Sequence, residues 1–398
     1  MCDTARPLAG ISRRSFVQVA LSMSGAAVAS TALSGCTEDG HVAEAGPVGS
    51  SSSAADVRTR LVLLGTAAGR TWWGGSERKG ISTAVVVEDS VYLVDFGEGW
   101  ARRYLQAGLG RQEEFHGLER LEAAFVTHLH SDHIVDYPNI LTFGSSDGLA
   151  SRPTPLQVFG PGARPSLVPL GISSAPEPPV LNASNPTPGL RDTTEYLYQA
   201  FANDLNDNMR DSLKPDPHSL IAVHDIELPV GITVDPNIDV APRMSPFPVF
   251  EDERVRVTAT LVDHAPVFPA FAFRFDTADG SVVVSGDTNA CDNLVELARG
   301  ADILVHEVID IAWVEGLFPD PPSPAQQAKI DHLVNSHTPI EDVGKVAERA
   351  GVRTLVLTHL APAHNPPERW LEAGRDFSGE ILVGEDLMEL GVGAARKN

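Results

Sequence analysis

His128-Leu129-His130-Ser131-Asp132-His133 decides how this chain is read. The six residues follow Leu121–Thr127, an apolar stretch that reads as a buried strand. In an extended segment, residues two apart point to the same side, so His128 and His130 can grip one ion. The tighter turn after them lets Asp132 and His133 face a second one. Imidazole nitrogens beside a carboxylate suit Zn2+, with Mn or Fe as other candidates. His264, His306, His337 and His359 also fall at the ends of apolar runs, and Asp287 follows another. One histidine at a strand end is ordinary. Seven of the chain's 13, joined by two aspartates, point to a di-metal cradle assembled at strand ends.

On either side of the cluster the pattern alternates between strand and helix. Arg60–Gly65, Thr83–Glu88 and Val91–Asp95 read as strands before it, with a short helix over Tyr104–Leu109. Val255–Asp263, Ala270–Asp276, Ser281–Ser285, Ala301–His306 and Arg353–Thr358 read as strands after it, and Ile340–Ala350 as a helix. Strands that end in chemically loaded loops, with helices outside, predict a layered α/β sandwich. Residues 163 to about 250 are rich in Pro, Asn and Asp and read as an insertion. It holds one helix, with Leu197, Phe201, Leu205, Met209 and Leu213 on one stripe. That helix either caps the site or packs on the main core.

The ordered motifs resemble the metallo-β-lactamase superfamily from about Arg60 to Leu390. Within it, Leu64-Gly65-Thr66, Asp95-Phe96-Gly97-Glu98-Gly99 and Phe159-Gly160-Pro161 resemble the ribonuclease Z and arylsulfatase-like branch. Val262-Asp263-His264, Ser285-Gly286-Asp287-Thr288 and Leu357-Thr358-His359-Leu360 are similar to its later metal motifs. The resemblance implies an αββα four-layer sandwich with an inserted cap-like segment. It also implies one ion on His128, His130 and His264, a second on Asp132, His133 and His359, and Asp287 bridging both. Val305-His306-Glu307-Val308 and Asn335-Ser336-His337-Thr338 resemble that branch's proton-handling motifs. By that likeness Glu307 orients His337 near the leaving group, with His306 and Asp132 as further catalytic candidates. For His306 an equally plain role is to close a strand and donate to a backbone carbonyl.

Two such ions about 3.5–4 Å apart would share a water and lower its pKa toward neutrality. Two Zn2+ with Asp132, Asp287 and a hydroxide sum to +1, which suits a monoanionic ester. Within that branch, the ribonuclease Z family usually carries a long flexible arm between its third motif and the bridging Asp and uses it to hold tRNA. Here His264 and Asp287 lie only 23 positions apart, which leaves room for two strands and the turn at Asp279-Gly280. The formal net charge is −23, and such a body repels phosphate backbones and anionic headgroups. The expectation is therefore a hydrolase of a small anionic ester, arylsulfatase-like or phosphodiesterase-like, with nucleic acid an unlikely partner. The alternatives are a ribonuclease Z-like endoribonuclease, a lactonase or β-lactamase, and a lipoprotein that binds metal or ligand without turnover.

The N-terminus carries its own signal. Ser12-Arg13-Arg14-Ser15-Phe16 precedes an apolar, small-residue run from Val17 to Leu33, a charged segment followed by a short apolar one. It resembles a twin-arginine export signal, and Leu33-Ser34-Gly35-Cys36 resembles a lipoprotein box. Residues 1–36 are thus expected to direct export. Residues 37–57 would be a flexible linker, and residues 58–398 the hydrolase domain with its insertion at about 163–250. The expected location is periplasmic or cell-surface, with membrane attachment only through a lipid on Cys36 and a homodimer possible. Beyond residue 36 only Cys291 remains, so no intrachain disulfide can form there. Gly144-Ser145-Ser146-Asp147-Gly148 matches a nucleophile elbow, but the histidines and aspartates that could serve it are committed to metal. The absence of a C-x-P-x-R run excludes the formylglycine type of sulfatase. Trp72-Trp73 either lines the pocket mouth or packs in the core.

Overall fold

Two seven-stranded sheets carry the chain in a computed structural model that describes residues 57–111 and 114–393. The export segment and all but the last residue of the linker lie outside the described residues. The first sheet contains β1 (Thr59–Gly65), β2 (Ser82–Val87), β3 (Ser90–Val94), β4 (Leu121–Phe125), β5 (Leu156–Pro161) and β6 (Ile221–Ile226). The second contains β7 (Phe247–Glu251), β8 (Val255–Leu261), β9 (Phe271–Thr277), β10 (Ser281–Val284), β11 (Ile303–Ile309), β12 (Thr354–Ala361) and β13 (Glu380–Val383). β14 (Glu389–Gly391) returns to pair with β1, giving the orders β14-β1-β2-β3-β4-β5-β6 and β13-β12-β11-β10-β9-β8-β7. In the first sheet β1 to β3 are antiparallel and β3 to β6 parallel; in the second β7 to β10 are antiparallel and β10 to β13 parallel.

Strand periodicity explains the layering. On β1, Leu61 and Leu63 join the core between the sheets, while Val62 and Leu64 face the outer cluster. On β9, Phe271, Phe273 and Phe275 fill the inner core, and Ala272 faces outward. Helices α1 (Trp100–Gln106), α2 (Ser131–Ile134), α3 (Pro138–Thr142), α4 (Leu190–Ala200) and α5 (Ala202–Asp211) follow strands of the first sheet. Trp100, Tyr104, Ile140, Leu190, Tyr198 and Leu205 bury themselves on its outer face. Helices α6 (Asp292–Leu297), α7 (Ile311–Glu315), α8 (Pro324–Ser336), α9 (Ile340–Ala350) and α10 (Pro367–Trp370) belong to the second half. There Ile340, Val343, Val346, Ala347 and Ala350 form the buried stripe of α9, which ends at Gly351 in the left-handed region (φ 66°). The result is the four-layer αββα sandwich.

Three local expectations change. The helix expected from Tyr104 starts at Trp100, where the indole donates to the Asp136 carbonyl (2.9 Å) and draws the first turn onto the sheet. The stretch 163–250 supplies an edge strand to each sheet, β6 and β7, and its helix is two helices that break at Phe201. Leu190, Tyr198 and Leu205 anchor them on the core, whereas Phe201 and Leu213 are exposed. Helix α8 was not read from the sequence at all. Its start was legible: Ser323 caps it, Pro324 occupies the first turn, and Ser323 and Gln326 form a reciprocal capping box. Among the described residues no helix is long and apolar enough to cross a membrane.

Candidate metal centre

The parallel halves of both sheets end at one crevice, where ligands of open α/β sheets bind. The chain leaves β4 through Thr127 and delivers His128 and His130; one turn later α2 delivers Asp132 and His133. The loop after β8 brings His264, the turn after β10 brings Asp287, β11 brings Glu307, and β12 brings His359. His337 comes from the C-cap of α8. Gly286 makes the turn that presents Asp287. It sits at φ 60°, and a Cβ there would meet the Phe271 carbonyl oxygen at 2.8 Å.

Three groups of potential donors form at the crevice. One is His128, His130, His264 and Asp287; the second is Asp132, His133, Asp287 and His359; the third is Glu307, His337 and His359. Asp287 stands between the first two. Its Oδ2 lies 3.8 Å from His128 Nε2 and 3.9 Å from His264 Nε2, and its Oδ1 lies 3.2 Å from His133 Nε2 and 3.3 Å from His359 Nε2. Asp132 Oδ2 lies 3.5 Å from His359 Nε2 and 3.8 Å from His133 Nε2. His306 belongs to none of the groups. Its Nδ1 meets the Glu307 carbonyl at 2.7 Å, and burial pushes the ring down to about 4, so it stays neutral within its strand.

The donors fit divalent ions. His128 Nε2, His133 Nε2, Asp132 Oδ1 and Asp287 Oδ1 are buried without a hydrogen-bond partner, and all four residues belong to the two donor groups that share Asp287. Such orphaned atoms are costly unless something electropositive joins them. Burial also holds His128 and His264 well below the usual histidine range, and burial with the Arg70 charge takes His130 down to about 3. Neutral imidazole is the form that binds a metal.

Surrounding groups orient the donors. Asp95 Oδ2 lies 2.8 Å from His133 Nδ1, while the Asp95 carboxylate also accepts from the Thr127 backbone N–H and hydroxyl, both at 2.8 Å. This fixes the ring with Nε2 toward Asp287, the arrangement of a carboxylate–histidine–metal triad. Asp95 and His359 both hold left-handed backbone (φ 62° and 45°), strain that a non-glycine residue retains where packing and function demand it. The Ser336 carbonyl accepts from His264 Nδ1 at 2.8 Å. Sequence reasoning quoted Asp95 only inside a motif, and the pointer to its role was its place at a strand end, one strand over from Thr127. Glu307 accepts from His337 Nδ1 (2.9 Å) and the Thr288 backbone N–H (2.7 Å). Burial opposes charge on His337, yet Glu307 outweighs it and pushes the ring up to about 9. A cavity of about 210 Å3 reaches His130, with Leu129, Val168, Val267 and Phe268 among its walls. A larger one, about 350 Å3, lies around Arg78, Arg103 and Asp386 and contains none of the candidate ligands.

The profile of the metallo-beta-lactamase superfamily matches residues 78–141. A Mycobacterium bovis protein named ribonuclease Z is 31% identical over 78% of this chain and 91% of its own length. Human tRNase Z, short form, superposes with a TM-score of 0.51 at 20% identity, covering 84% of this chain and 99% of that one. The metallo-beta-lactamase fold protein YhfI from Bacillus subtilis superposes with a TM-score of 0.50 at 16% identity, covering 83% and 99%. The relatives named ribonuclease Z overturn the expectation that nucleic acid is an unlikely partner, and with it the preference for a small anionic ester. The error lay in scale. A net charge of −23 is summed over the whole chain, whereas the crevice is a local set of imidazoles and three carboxylates with Arg70 beside it.

Proposed function

The chain belongs to the metallo-beta-lactamase superfamily and is a metal-dependent hydrolase of ester bonds, and from that premise we propose that it cleaves phosphodiester bonds in RNA. The observation that carries this reading is the Glu307–His337 pair set against the two donor groups, in a chain 31% identical to a ribonuclease Z. His128, His130 and His264 would hold one divalent ion, and Asp132, His133 and His359 the other, with Asp287 shared; zinc suits this donor set best. Such ions would supply Lewis acidity for the phosphoryl oxygens and lower the pKa of a nearby water.

The chain's own groups do the rest. Asp95 and the Ser336 carbonyl fix the rings of His133 and His264. Glu307, itself steadied by the Thr288 N–H, keeps a proton on His337 Nδ1 and leaves Nε2 as the ring's second nitrogen. His337 Nδ1 lies 4.0 Å from Asp287 Oδ2, so the ring stands beside the donor groups and can hand a proton to a departing oxygen. A monoanionic diester matches a centre of small positive charge.

The test is a parallel assay of the metal-loaded protein on RNA with an unpaired 3′ tail, an aryl sulfate, a lactone and a cephalosporin. RNA should be cut and the other three left intact. Turnover of the sulfate with RNA untouched would sink the proposal.

A further inference from the structure

Trp72 is 89% exposed, an unusual state for the largest side chain, and Trp73 beside it is not. Trp73 pins its segment: the indole donates to the Ala68 carbonyl (2.7 Å), and the ring packs edge-on against Trp313 (5.4 Å) and His364 (5.7 Å). The same segment is tied to the candidate metal centre. The Gly69 backbone N–H donates to Asp132 Oδ2 (3.0 Å), and Arg70 Nε lies 3.9 Å from Asp132 Oδ1. Arg70 is more than half exposed, and among the described residues no other ion pair holds it, so its guanidinium is open to a ligand phosphate. Trp72 follows Arg70 by two residues, so the segment that touches Asp132 through Gly69 and Arg70 also presents a bare aromatic ring. Core packing gives no reason for this exposure.

We propose that Trp72 is a stacking platform for an unpaired nucleobase next to the scissile bond, with Arg70 engaging the adjoining phosphate. The proposal rests on the RNA-cleaving reading and deepens it by fixing the substrate as single-stranded at that nucleotide. Every base has a π face, so a platform of this kind tolerates sequence but requires that the base be free of a duplex. It also answers the acidic body, because stacking draws RNA without relying on a broad basic surface. Stacking on one aromatic side chain is worth about 1–3 kcal/mol per base, which corresponds to a KM rise of roughly five- to 150-fold when the ring is removed.

The experiment compares wild type, Trp72→Ala and Trp72→Phe in the metal-loaded full chain on two RNAs. One carries an intact base beside the cleavage site; the other carries an abasic nucleotide at each position flanking it. Because Trp72 is exposed, the variants are expected to fold, and circular dichroism checks this. The expected result is a raised KM with little change in kcat for Trp72→Ala on intact RNA, recovery in Trp72→Phe, and no further effect of Trp72→Ala on abasic RNA. Failure of wild type to cut RNA overturns the functional reading and the platform with it. Cleavage by wild type with an unchanged KM in Trp72→Ala, or an equal effect on abasic RNA, overturns the platform alone.

Discussion

His133 shows how one side chain acquires its role from three others. Its Nδ1 is held by Asp95, its Nε2 is left without a hydrogen-bond partner, and its nearest acidic neighbours on that side are Asp287 and Asp132. A ring placed in this way is oriented before any ion arrives. Asp95→Asn keeps the shape but removes the charge that selects the tautomer. It is expected to weaken metal binding about ten- to hundredfold, the usual cost of losing such an orienting group. Competition with a chromogenic chelator measures this, and an unchanged affinity would show that Asp95 serves only the turn at the end of β3. At this scale the sequence was most informative. Seven histidines and two aspartates could be named from strand ends, and the structure brings all but His306 into the donor groups. Carbonyl partners such as Ser336 were illegible because any residue can supply a carbonyl, and only the fold decides which one does.

The elements that carry the site differ in how openly they declare themselves. Strands such as β9, with Phe271, Phe273 and Phe275 on one face and Ala272 on the other, announce both their type and their orientation. Helix α8 did not, because its residues form no clear apolar stripe and only Ser336 among them is buried. Its signal lay in chemistry instead, in the Ser323–Gln326 box and Pro324. The break between α4 and α5 was hidden for the opposite reason: the regular spacing of Leu197, Phe201 and Leu205 continues across it. Because α8 ends at His337, its cap matters for the site as well as for stability. Ser323→Ala should destabilise the fold by about 1 kcal/mol, within the usual range for losing such a cap. Urea unfolding monitors this, and an unaltered midpoint would mean that α8 is held wholly by its later contacts.

At the scale of the whole molecule, net charge and the short gap between His264 and Asp287 misled together about the substrate. Net charge describes the average surface, and the proposed recognition of RNA would depend on a few local groups, so the sum carries no veto over the substrate. The short β9–β10 hairpin between His264 and Asp287 stands as the sequence suggests, with its turn at Asp279 and Gly280, so any RNA must be held by other parts of the chain. We also propose that residues 1–36 direct export, which would place the RNA substrate outside the cytoplasm. Changing Arg13 and Arg14 to Lys should then retain the precursor in the cytoplasm, and cell fractionation reading an unchanged distribution would refute it. On the proposed reading, the two donor groups sharing Asp287 hold divalent ions that RNA cleavage requires. Its most direct test is RNA cleavage by the purified chain before chelation, after it, and after readdition of Zn2+. Cleavage is expected to be lost with the metal and to return as about two ions per chain rebind. Cleavage that survives complete removal of metal would contradict it.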